Sequence, residues 1–175
     1  MGFKSVGNNV LISKKASIYD CAQISIGNNV RIDDFCLISG HISISSYVHL
    51  APYVMLAGGK SGIIVGEYVT FAYGVKVFAE SDDYSGESAV GSLVTDEFKN
   101  VKRSAVYIDG YTILGTNSIV MPGCRLGEGV SLGASTLVNK SLDPWQIYVG
   151  QPARKLKARS MNIVQNFQSF IEHSS

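Results

Sequence analysis

The chain lacks a charge imbalance, a paired-cysteine spacing and any long hydrophobic run, and it contains only three histidines. A net charge of +1 over 175 residues gives no bias toward nucleic acid or a membrane surface. No segment resembles a secretory h-region or a membrane span, so the expected setting is cytoplasmic, with no membrane insertion and no nucleic-acid partner. Cys21, Cys36 and Cys124 have neither disulfide nor ligand spacing and read as packing residues.

What is present is a six-residue beat. Aliphatic residues recur at Ile26, Ile32, Ile38, Ile44, Leu50 and Leu56, at Val65, Phe71 and Val77, and at Ile108, Leu114, Val120, Leu126, Leu132 and Val138. Val6, Ile12 and Ile18 keep the same interval. A period of six fits neither an α-helix nor a helical solenoid; it fits a stack of short flat strands. Four residues after the beat comes a second small or branched residue (Val30, Cys36, Val48, Val54, Val69, Val75, Cys124, Val130), as expected of a narrow prism with two inward positions per hexad. Glycine often follows the beat residue directly (Gly7, Gly27, Gly66, Gly115, Gly127, Gly133) and is expected at corners whose φ a Cβ resists. The eighteen hexads predict six coils of three.

The breaks mark candidate function. The register slips between Ile18 and Ile26 and again at Gly58–Gly62, which predicts small bulges. From about 80 to 105 the beat vanishes, and a long polar loop in a regular solenoid is more often functional than idle. The repeat is expected to span 1–143. Residues 144–175 form a C-terminal unit: a Pro144-Trp145 stop, a polar turn, and an amphipathic helix from Leu156 to Ile171.

The hexads, Ile113-Leu114-Gly115, the run Val120-Met121-Pro122-Gly123-Cys124 and the tail Gly150-Gln151-Pro152-Ala153-Arg154 together resemble the hexapeptide-repeat acyltransferases, in their sugar acetyltransferase branch. The resemblance implies an all-β solenoid, a left-handed parallel β-helix with a short C-terminal helix. It also implies a homotrimer, with acetyl-CoA as co-substrate in clefts between subunits. Gly115, Gly133 and Ala134 are then candidates to line the pantetheine arm, and Lys140, Arg154, Lys155 and Lys157, with Arg159, to hold its phosphates. Trp145 either caps the last coil or stacks on the adenine.

In this branch a loop histidine serves as base, whereas the matching stretch here, Glu80-Ser81-Asp82-Asp83-Tyr84, has none. His41 and His49 fall on outward positions and His173 near a terminus expected to be disordered. His49, in Val48-His49-Leu50-Ala51-Pro52, is the favoured base, with Asp82 or Asp83 the competitor. Glu80, Asp82, Asp83 and Tyr84 are candidates to contact a sugar, the acids through its hydroxyls and Tyr84 by stacking. No Cys or Ser stands beside a His in a nucleophile-like setting, so direct transfer without a covalent acyl-enzyme is expected, with a backbone N–H such as that of Gly115 facing the oxyanion. Because an amine needs less help than a hydroxyl, an aminosugar on a nucleotide, as in O-antigen biosynthesis, is the favoured acceptor. A sugar O-acetyltransferase, a non-catalytic trimeric scaffold and a γ-type carbonic anhydrase are the alternatives, the last requiring three histidines on one metal.

Overall fold

The computed structural model describes residues 2–174. Short parallel strands stack into three flat faces of a triangular prism, a parallel β-helix. The first face runs from Ser5–Val6 to Arg125–Leu126, the second from Val10–Ile12 to Gln146–Val149, and the third from Ser17–Ile18 to Leu137–Val138. Beat residues lie directly above one another: Ile44, Val65, Ile108 and Leu126 on the first face, Leu50, Phe71, Leu114 and Leu132 on the second, Leu56, Val77, Val120 and Val138 on the third. The second inward positions, Cys36 and Cys124 among them, are buried too, so the interior is one aliphatic column.

Three expectations need correction. The glycines after the beat are not left-handed. Cβ atoms at Gly27, Gly66 and Gly115 would lie 2.7, 2.6 and 2.5 Å from backbone atoms of the next coil. They are glycine because coils stack closely, and the positive φ falls two residues later, on Asn9, Asn29, Tyr68, Asn117 and Ser135. The column also continues beyond 143, since Leu142 and Tyr148 are buried and begin a seventh turn over Leu126 and Leu132. That turn is two residues short of the usual coil and carries a tyrosine on the beat, which hides it from a six-residue count.

The third correction concerns the tail. Arg154–Ala158, Leu156 included, is a strand paired antiparallel with Gln146–Val149, and the helix is Asn162–Ser174. The hairpin captures the backbone groups that a helix from Leu156 would need. His173 belongs to the helix's last turn, its Nδ1 2.6 Å from the Ser169 carbonyl oxygen, and is not disordered. The helix packs on its own chain. Tyr47, Tyr68 and Tyr111 occupy one corner in successive coils with ring centroids 5.1 Å apart, and Phe167 and Phe170 cover them at 4.6 Å from Tyr68 and 6.3 Å from Tyr47. The stacking of Tyr47 on Tyr68 follows the register count, but the cover is intramolecular rather than a partner subunit. Trp145 extends this ladder over Gly129, 6.2 Å from Tyr111, the capping role of its two expected roles. Arg159 is engaged by its own chain: its Nη1 donates to the carbonyls of Tyr111, Gly129 and Val130 at 2.7, 3.0 and 3.3 Å, strapping the tail to the prism. Among the described residues no helix is long and apolar enough to cross a membrane.

Candidate active site

The long loop leaves the third face after Phe78 and rejoins the first at Val106, so it stands at the corner above Gly58–Gly62. Its base is an antiparallel pair, Glu80–Ser81 with Lys102–Arg103. Glu80 anchors it: Oε1 accepts from the Lys60 N–H at 2.8 Å and lies 3.6 Å from the Arg103 Nε. Two adjoining cavities open in the loop and share Asp82. One is lined by Lys60, Glu80, Ser81, Asp96, Lys99 and Arg103, the other by Asp83, Tyr84, Ser88 and Val90.

The two adjacent acids differ in availability. Asp83 is committed to the turn, with Oδ1 accepting from the Ser85 N–H at 2.9 Å and Oδ2 from the Ser88 hydroxyl at 2.8 Å. Those bonds, the Ser85 N–H foremost, hold its carboxyl below the usual range and make it a poor proton acceptor. Asp82 receives one long bond, from the Gly91 N–H at 3.4 Å, and faces both cavities. Tyr84 is 90% exposed and projects outward from the loop.

His49 lies elsewhere. It stands outward on the second face between Arg31 and Thr70, and its Nε2 is 2.8 Å from Asp33 Oδ2, whose other oxygen accepts from Arg31 Nε at 2.7 Å. Partial burial of Asp33 pulls its pKa up, but the bonds from His49 and Arg31 outweigh this and leave the carboxyl ionised below its usual range. Within one chain the structure therefore does not bring His49 to the loop acids. Of the remaining histidines, His41 sits beneath the loop, Nδ1 3.1 Å from the Gly59 carbonyl oxygen. Among the described residues no group of three or more His, Cys, Asp or Glu could hold a metal.

The cofactor candidates form two sets. Lys140, Arg154 and Lys155 line one cleft with Asp143 and Tyr148, and Lys157 follows on the same strand. Gly115, Gly133 and Ala134 stack in adjacent coils. The Gly115 N–H donates to Leu132 O at 3.0 Å, so it does not face an oxyanion; the coil's own ladder takes it.

Sequence reasoning missed Asp33, Lys60, Asp96, Lys99 and Arg103. Coil arithmetic carried the first two: Arg31, two residues before Asp33, pairs with His49, and Gly58–Gly62 lies one coil below the loop.

By fold the chain is a hexapeptide-repeat β-helix carrying an acidic loop and a basic hairpin. No family model matches it. It is 40% identical over 168 residues to the dTDP-4-amino-4,6-dideoxy-D-glucose acyltransferase of Escherichia coli, covering 94% of this chain and 87% of that protein. It superposes with a TM-score of 0.97 and 48% identity on AntD, an N-acyltransferase from Bacillus cereus, solved with dTDP and 3-hydroxybutyryl-CoA, over 99% of this chain and 92% of that one. A variant of AntD in complex with dTDP-4-amino-4,6-dideoxyglucose and coenzyme A has the same TM-score and identity. The chain belongs to the hexapeptide-repeat acyltransferases, whose left-handed β-helix it shares.

Proposed function

We propose that this protein transfers the acetyl group of acetyl-CoA to the amino group of a nucleotide-linked aminosugar of the dTDP-4-amino-4,6-dideoxyglucose type. The observation that carries the reading is the loop cavity, where Lys60, Lys99 and Arg103 stand beside Glu80 and Asp96 and the carboxylate of Asp82 accepts one long hydrogen bond. Such a lining matches a ligand with a diphosphate at one end and an amine at the other. The kinship with acyltransferases of this substrate class supports it.

Transfer is direct. The amine lone pair attacks the thioester carbonyl, the N–C bond forms, the C–S bond breaks, and the proton lost from nitrogen ends on the departing coenzyme A sulfur. Cys36 and Cys124 offer no covalent route, because burial pushes both thiols up. His49, oriented by Asp33, is the base, and Asp82 positions the amine. Because these residues stand apart within one chain, the site is completed between copies in a homotrimer. The exposed loop tip, with Tyr84 at 90% and Leu93 at 99% exposure, suits a neighbour's surface. Both substrates place the reaction in the cytoplasm, and the product serves surface-polysaccharide assembly such as O-antigen biosynthesis.

Coenzyme A release with dTDP-4-amino-4,6-dideoxyglucose as acceptor tests the reading; no release above the rate of thioester hydrolysis contradicts it. In the same assay, Arg154→Ala with Lys155→Ala is expected to raise the acetyl-CoA Kd by about tenfold or more, as loss of charge-assisted phosphate contacts requires. The kcat at saturating donor should change little. Unchanged affinity would return the pair to the solvated surface of the hairpin.

A further inference from the structure

The loop cavity holds a dense ion-pair network. Three cations converge on one carboxylate: Lys99 Nζ is 3.2 Å from Asp96 Oδ1, Arg103 Nη2 is 3.1 Å from Oδ2, and Lys60 Nζ is 3.9 Å from the same oxygen. Glu80 shares Arg103 at 3.6 Å, so three positive groups face two negative ones in this ion-pair network. We propose that Asp96 competes with the diphosphate of the acceptor for Lys60, Lys99 and Arg103, acting as a built-in brake on nucleotide-sugar binding. The inference rests on the functional reading above.

The exposures of Lys99 and Asp96 favour displacement over a permanent brace. The Lys99 side chain is only 11% exposed and also donates to Gly91 O at 3.3 Å, whereas Asp96 is 56% exposed and opens a single turn of 3-10 helix. The cation is fixed and the acid stands at the rim. Groups gathered within 4 Å of a single carboxylate converge on a volume a phosphate can fill. A diphosphate brings more charge and more acceptor oxygens than one carboxylate, and the Arg103 fork suits it. The hydrogen bond from Lys99, then the Arg103 charge, hold Asp96 below the ordinary carboxylate range, so it remains an anion throughout the neutral range.

Calorimetric titration with dTDP and, separately, with coenzyme A tests the competition, since both carry phosphates. Asp96→Asn keeps a hydrogen-bonding side chain and removes the competing charge. It is expected to tighten dTDP about three- to tenfold and to leave coenzyme A unchanged. Asp96→Glu should restore wild-type affinity, and Arg103→Ala should weaken dTDP about tenfold or more. Weaker or unchanged dTDP binding by Asp96→Asn would overturn the proposal and make the network a brace for the loop. A change confined to coenzyme A would overturn it as well. Wild-type protein that binds no dTDP at all would strike the functional reading, and this inference with it.

Discussion

His49→Asn is expected to lower kcat by about 10² to 10⁴ while leaving acetyl-CoA affinity within about twofold, the signature of a lost general base. Asparagine keeps a polar partner for Asp33, so the Arg31–Asp33 pair at 2.7 Å should survive and the fold with it. Stopped-flow measurement of thiol release under saturating substrates reads the effect. If the rate falls less than about tenfold while Asp82→Asn abolishes turnover, the loop carboxylate carries the proton and His49 is a wall of the cleft. Mixing the two variants adds a sharper reading. Because His49 stands on the second face and Asp82 in the loop between the third and first, oligomers reassembled from His49→Asn and Asp82→Asn protomers should regain activity at interfaces that unite the two intact residues. No recovery would place both residues' contributions within a single chain.

Phe71→Ala is expected to cost about 3 to 5 kcal/mol, the largest stability loss of any single truncation in this chain. Phe71 is fully buried in the middle of the column, with Leu50 in the coil below and Leu114 in the coil above. Each coil contacts only its neighbours, so a cavity there weakens both junctions at once. Thermal unfolding followed by circular dichroism should shift down by about 10 °C or more, or split into two transitions. Tyr53→Ala, at a corner and 60% exposed, should cost less than about 1 kcal/mol. Equal losses for the two would mean that stability does not reside in the aliphatic column.

The column was legible because a β-helix repeats one local rule. Ile44, Val65, Ile108 and Leu126 are written at hexad positions and stack at hexad positions. Errors entered where the rule is broken by packing between coils. Gly115 looked like a corner residue, but whether a Cβ fails through its φ or through the approach of Ala134 depends on coil spacing, which no single hexad reveals. Tyr148 went unnoticed because its turn is short and its inward residue aromatic. Leu156 had helical spacing with Ile163, yet an antiparallel partner strand outbid the helix. In the site, residue types were legible and their commitments were not. Asp82 and Asp83 are indistinguishable in sequence, and only Ser85 and Ser88 closing on Asp83 separate them. The cluster of Lys60, Asp96, Lys99 and Arg103 joins a glycine bulge to the far side of a long loop, a contact set by how the loop folds back on itself.

On the proposed function, the loop site delivers an amine, and not a hydroxyl, to an acyl thioester. Equal concentrations of dTDP-4-amino-4,6-dideoxyglucose and its 4-hydroxy counterpart, offered together with acetyl-CoA, test it most directly when the products are separated by mass. The amide is expected as the dominant product, with the 4-hydroxy sugar recovered unchanged; an ester as the main product, or no acylated nucleotide sugar at all, would overturn the proposed function.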